Sequence, residues 1–130
     1  MPVFKSTEKM YEVLGSLFES LMENEEVADK FRESEITILF RIHEPEGQIW
    51  LDPDEGVVCG STNLKPTITM SLSGDSCHKF WLKELSMPVA LATRKIKSKG
   101  PLPKVLKMIP LLKPAYENYP AIARKHGVLV

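Results

Sequence analysis

The stretch Ile36-Thr37-Ile38-Leu39-Phe40-Arg41-Ile42-His43-Glu44-Pro45-Glu46-Gly47-Gln48-Ile49-Trp50-Leu51-Asp52 decides the fold class. Ile36, Ile38, Phe40 and Ile42 alternate with Thr37, Leu39, Arg41 and His43, the period of a strand with one buried face. Glu44-Pro45-Glu46-Gly47 supplies turn chemistry, because proline presets φ and glycine is free to take positive φ. Gln48 to Asp52 then reads as a returning strand. An antiparallel sheet therefore occupies the middle of the chain.

Downstream, Asp52-Pro53-Asp54-Glu55-Gly56 is a second turn, 57–62 a third strand and 67–73 a fourth, in which Ile68, Met70 and Leu72 alternate with hydroxyl residues. Short loops between consecutive strands argue for antiparallel pairing. Ser73-Gly74-Asp75-Ser76 signals a helix start, and Cys77, Phe80, Trp81, Leu82 and Leu85 follow on a helix that Met87-Pro88 ends. Residues 88–93 read as a short helix. Residues 94–98 read as a fifth strand with a charged face. Upstream, Ser6 is an N-cap candidate, and Met10, Val13, Leu14, Leu17, Phe18, Leu21 and Met22 recur at helical spacing, which predicts a helix over 7–22. Val27, Ala28 and Phe31 suggest a second, shorter helix after Asn24. Five prolines (101, 103, 110, 114 and 120) interrupt the C-terminal region. Proline inside a helix removes a hydrogen bond and clashes with the preceding turn, so the region reads as three pieces, 101–109, 111–118 and 120–126, with Gly127 as a C-cap. Leu102, Val105, Leu106 and Ile109 share a face of the first piece.

This order of elements, with particular residues, resembles the sterol carrier protein family. Phe40-Arg41-Ile42 through Gln48-Ile49-Trp50-Leu51-Asp52 looks like that family's first hairpin. Pro66-Thr67-Ile68-Thr69-Met70-Ser71-Leu72-Ser73-Gly74-Asp75 looks like its strand-to-helix junction. Pro88-Val89-Ala90-Leu91-Ala92-Thr93-Arg94-Lys95-Ile96-Lys97-Ser98-Lys99-Gly100 is similar to its small helix and basic strand, and Lys104 to Leu112 to the helix that follows. One departure is that the glycine before the basic strand is Thr93 or Arg94 here. The resemblance implies an α+β fold, a five-stranded, largely antiparallel sheet covered by helices, in one lipid-binding domain over residues 1–130, with 114–130 a helical tail. It also implies an apolar tunnel for a sterol, fatty acid, fatty acyl-CoA or phospholipid. The expected lining is Met70, Leu72, Phe80, Trp81, Leu102, Val105, Leu106 and Ile109.

Composition and charge bound the alternatives. With 43% hydrophobic and 26% charged residues the chain is an ordinary globular sequence of 130 residues, large enough for a core without staples. Residues 1–56 carry 14 acids and 5 bases, whereas residues 85–116 carry seven bases and no acid. That asymmetry reads either as a solvated face or as a surface for anionic partners. On the second reading Lys95, Lys97, Lys99, Lys104 and Lys107 dock the protein transiently on an anionic membrane. The basic stretch has no aromatic between Trp81 and Tyr116, which argues against nucleic acid, since single-strand binders stack bases on aromatics. No metal motif, cofactor-binding loop or catalytic constellation is visible. Cys77 and His78 are sequence neighbours that point about 100° apart on a helix, a poor dyad. No catalytic residue, metal or cofactor is therefore expected. No apolar run reaches membrane-span length, and the chain lacks a signal-peptide core and a peroxisomal C-terminus, so a cytoplasmic protein is expected. A protein-interaction or dimerisation domain without a ligand, or an accessory subunit of an enzyme, stands as the alternative. The sequence leaves homodimer formation and pairing of Cys59 with Cys77 open.

Overall fold

The computed structural model describes residues 3–128, without the side chain of Leu102. Two helices come first, α1 (Thr7–Glu23) and α2 (Glu25–Ser34), followed by strands β1 (Ile38–His43), β2 (Gly47–Asp52), β3 (Gly56–Cys59) and β4 (Ile68–Ser73). Helices α3 (Gly74–Trp81) and α4 (Met87–Ala92), strand β5 (Ile96–Lys99) and the long helix α5 (Leu102–Lys125) complete the order. Local chemistry sets the helix starts. Ser6 Oγ accepts from Lys9 N at 3.1 Å, Asn24 Oδ1 accepts from Glu26 N at 3.0 Å, and Ser73 Oγ accepts from Ser76 N at 3.0 Å, each satisfying an amide that has no partner within its helix.

The sheet order is β3-β2-β1-β4-β5. Three of its four pairings are antiparallel, and β1 with β4 is parallel, Ile38 opposite Ile68 and Leu72 opposite Ile42. The sheet is thus mixed. The largely antiparallel sheet expected from the short loops is present, and its one parallel pair comes from a crossover. The chain leaves β3 at one edge and, within residues 60–67, crosses β2 and β1 to reach the other side. Gly60, at φ 99°, turns it out of β3, which ends at Cys59 rather than at residue 62. Trp50 Nε1–H donates to the Gly60 carbonyl at 3.0 Å, and Thr67 N–H donates to the Thr37 carbonyl at 2.8 Å, fixing both ends of the crossing.

Strand alternation sends Ile38, Phe40, Ile42, Ile49, Leu51, Ile68, Met70, Leu72 and Ile96 to one face, and all are buried. Helices α1, α3 and α5 cover that face. Val13, Leu14, Leu17, Phe18 and Leu21 of α1 are buried at the spacing of one helical stripe. Phe18 stacks on Phe40 with centroids 5.0 Å apart.

α5 runs unbroken through Pro110, Pro114 and Pro120, where three separate pieces were expected. Val105, Met108, Leu112, Ala115, Tyr119 and Ala123 are buried along one face, so burial over the whole length outweighs the bonds the prolines remove. Pro110 itself is exposed, which leaves room for water to satisfy the carbonyl that loses its partner. Pro88 lies in the first turn of α4, and the chain bends into β5 at Arg94, whose φ of 60° takes the left-handed conformation a glycine would adopt without strain.

Candidate functional site

Phe80 and Trp81 end α3. Trp81 is fully buried at the centre of an aromatic cluster, with centroids 5.6 Å from Phe18, 4.8 Å from Phe80 and 5.5 Å from Tyr116. Its Nε1–H has no well-placed hydrogen-bond acceptor among the described residues. Lys83, at φ 67°, reverses the chain after α3 and brings Leu85 and Ser86 round to the start of α4 at Met87.

Facing this turn is a second stripe of α5. Ile109, Pro110, Lys113, Tyr116 and Glu117 recur three and four residues apart, on the side of the helix next to its core-facing residues. Between the two walls lies an open groove of about 530 Å³, lined by Phe80, Leu85, Met87, Ile109, Pro110 and Tyr116, with Lys83, Ser86, Lys113 and Glu117 at its polar edge. That volume is in the range of small-molecule sites, and an apolar lining with a few polar groups is their usual composition. Burial pushes the Tyr116 phenol up to about 12, so it lines the groove as a neutral hydroxyl at neutral pH.

Of the residues expected to line a cavity, the structure brings Phe80 and Ile109 together across this groove. Met70, Leu72, Trp81 and Val105 are buried in the packed core behind it. Leu106 is 59% exposed. It does not share the face of Val105, and points outward one turn ahead of Pro110. The side chain of Leu102 lies outside the described residues. Sequence reasoning missed Leu85, Met87, Pro110 and Tyr116. The spacing from Ile109 to Tyr116 was the available signal, hidden because the prolines were read as helix breaks.

The five lysines of the basic stretch are separated. Lys97 and Lys99 stand on the uncovered face of the sheet, opposite Ser71 and Thr69. Lys95 precedes β5. Lys104 Nζ donates to the Ser34 carbonyl at 3.2 Å, and Lys107 borders a hollow beside α2 with Lys30 and Glu33.

The reactive side chains lie away from the groove. Burial pushes the Cys77 thiol up to about 12, with Trp81 a weaker opposing influence. His78 Nδ1 and the Tyr119 hydroxyl lie 2.6 Å apart, both buried, and tie α3 to α5. Cys59 is exposed and Cys77 is buried, and both are free thiols. Among the described residues no helix is long and apolar enough to cross a membrane.

Comparison with known proteins places this geometry. The sequence profile of the SCP-2 sterol transfer family matches residues 16–113. No individual curated protein matches the chain in sequence. Among solved structures, the sterol carrier protein domain 2 of Helicoverpa armigera superposes with a TM-score of 0.69 at 20% identity, covering 84% of this chain and 89% of that one. The apo form of sterol carrier protein 2 from Yarrowia lipolytica gives 0.60 at 19% identity, covering 83% and 90%. The sec-alkylsulfatase Pisa1 from a Pseudomonas species gives 0.52 at 20% identity, covering 65% of this chain but only 14% of the enzyme. At these identities the likeness is one of fold.

Proposed function

Because the chain belongs to the SCP-2 sterol transfer family, we propose that it binds and carries a lipid whose apolar part occupies the groove between the α3–α4 turn and α5. The observation that supports this most directly is the groove itself, about 530 Å³ walled by Phe80, Leu85, Met87, Ile109 and Tyr116. A ligand burying ~300 Å² of apolar surface there gains about 7 kcal/mol before ordering costs, enough for reversible binding chosen by shape. Sterols, fatty acids, acyl-CoA and phospholipids all satisfy that criterion. Lys83 and Lys113 at the edge leave the polar end of the ligand beside solvent and cations.

On this reading residues 1–130 act as one lipid-binding unit, and the segment after Pro114 belongs to the site, since Tyr116 and Glu117 line it and Ala115, Tyr119 and Ala123 anchor it in the core. The role is carriage without a reaction of its own. The buried Cys77 thiol stays protonated, and His78 and Tyr119 are engaged with each other behind the groove.

The test is a titration with a fluorescent fatty acid and with a fluorescent sterol. The wild type takes up at least one probe saturably, and Ile109→Trp, which fills the groove, loses that uptake while its circular dichroism is unchanged. Uptake by folded Ile109→Trp equal to wild type moves the lipid elsewhere. No uptake of either probe by wild type favours an interaction domain that keeps the fold without a ligand.

A further inference from the structure

The uncovered face of the sheet carries chemistry that lipid carriage does not use. Arg41 of β1 stands opposite Ser71 of β4, and Ser71 opposite Lys97 of β5. One row along, Leu39 stands opposite Thr69, and Thr69 opposite Lys99. Residues 60–67 cross this face and leave a hollow of about 440 Å³ between their end and the end of β5, lined by Arg41, Pro66, Thr67, Thr69, Lys99 and Gly100. Gly100 closes it tightly. Its φ is 143°, and a Cβ there would come within 2.7 Å of the Thr67 carbonyl oxygen.

Two cations, Arg41 and Lys99, line the hollow with Thr69, and no carboxylate does. Neither Arg41 nor Lys99 has an ion-pair partner among the described residues. Asp52, the acid of β2 that points to this side, does not line the hollow, and its carboxylate is engaged with the Thr37 hydroxyl at 2.6 Å and the N–H groups of Asp54 and Glu55. Glu46 borders a separate hollow on the other side of Arg41. An oxyanion seated in the hollow would meet both cations with no carboxylate in the lining to oppose it. The guanidinium presents a planar fork for two oxygens, the ammonium reaches a third, and the threonine hydroxyl donates as well.

We propose that this hollow binds the phosphate group of a phosphate monoester. The volume exceeds that of a bare phosphate, so part of the esterified group sits in it too. The hydroxyls of Thr67 and Thr69 and the ring of Pro66 make the floor neutral. The ester is either a soluble small molecule or an anionic lipid headgroup, since both present the same dianion. This site is independent of the lipid groove, which lies on the opposite side of the sheet.

The test uses two probes. Glycerol 3-phosphate is titrated while backbone amide shifts are followed, and vesicles of phosphatidylcholine with and without phosphatidic acid are used in co-sedimentation. Saturable shifts at Arg41, Thr69 and Lys99 assign a soluble ester. Saturable binding only to phosphatidic acid vesicles assigns a headgroup. In either case Arg41→Gln and Lys99→Gln each weaken binding about tenfold, Lys107→Gln on the helical side leaves it unchanged, and Ile109→Trp leaves it unchanged. Both cations are exposed, so these variants fold, as circular dichroism will verify. Equal binding by Arg41→Gln, or equal weakening by Lys107→Gln, means that only diffuse charge is sensed and overturns the proposal. So does the absence of saturable binding of either probe.

Discussion

Phe40 and Arg41 are consecutive in β1, yet they belong to two different chemistries. Phe40 is 2% exposed and stacks on Phe18 under the helices, whereas Arg41 lies in the open and borders two hollows on the uncovered face. The same step recurs at Met70 and Ser71 and at Ile96 and Lys97. The inner face holds the molecule together and backs the apolar groove. The outer face buries Leu39 and Trp50, but its exposed positions are free to carry charge. Strand alternation alone therefore gives one sheet an apolar face and a face that carries charge.

The strongest way to break this comparison is to cut neighbouring side chains. Phe40→Ala should cost about 3–5 kcal/mol in urea unfolding, while Arg41→Ala should stay within about 0.5 kcal/mol. Similar losses at both positions would mean that the outer face is structural as well. Two outer residues, Leu39 and Trp50, depart from the pattern. Trp50 faces outward but is only 4% exposed, because the crossing segment covers it and its indole donates to the Gly60 carbonyl. Trp50→Phe keeps an aromatic ring but loses that bond and part of the buried ring system, which should cost at least about 1 kcal/mol. A change near zero would detach the crossing segment from the stability of the sheet.

The two faces should also fail at opposite ends of the pH scale. Behind the inner face, burial raises Cys77 and Tyr116 from 9.0 and 10.0 to about 12 each. Both hold their protons more tightly folded than unfolded, so their contribution is complete below about pH 9 and is lost as the pH climbs toward 12. On the outer side, burial alone would raise Asp52, but the Thr37 hydroxyl and the N–H groups of Glu55 and Asp54 outweigh it and hold the carboxyl below its ordinary 3.8. Its contribution is complete above that value and is lost as the pH falls below it. In thermal unfolding across pH, Cys77→Ala should soften the alkaline loss and Asp52→Asn the acid one. An exchange of these effects would reverse the assignment.

The smallest expected effect is at the bend into β5. Arg94→Gly removes a left-handed strain and adds unfolded-state freedom, two opposed effects that leave a gain of about 1 kcal/mol or less. A loss would show that the Arg94 side chain has a role the bend does not explain.

Much of the inner face was legible in the sequence, because period two at Ile38, Phe40, Ile42, Ile68, Met70 and Leu72 and helical spacing from Met10 to Leu21 are local signals. The parallel pairing of β1 with β4 was not, because it depends on where residues 60–67 travel, and no residue type encodes that path. The continuity of α5 was hidden for a related reason. Pro110, Pro114 and Pro120 follow a local rule that the burial of Leu112, Ala115 and Tyr119 overrides. Half of the groove was lost with it. Phe80 and Ile109 were visible as apolar residues, but Leu85 and Met87 reach it only because Lys83 turns the chain. Leu106 was misplaced by one helical step, which is enough to move a side chain about 100° from the core.

The single parallel pair also differs from the hairpins in the loop it has to close. β1, β2 and β3 are joined by tight turns, so each finds its partner within a few residues and closes a small loop. β4 has to meet β1 across about thirty residues, from Ile38 to Ile68, and the entropy of closing that larger loop comes before any of its contacts forms. Within the sheet, the seam between β1 and β4 therefore closes a larger loop than either of the hairpins that join β1, β2 and β3.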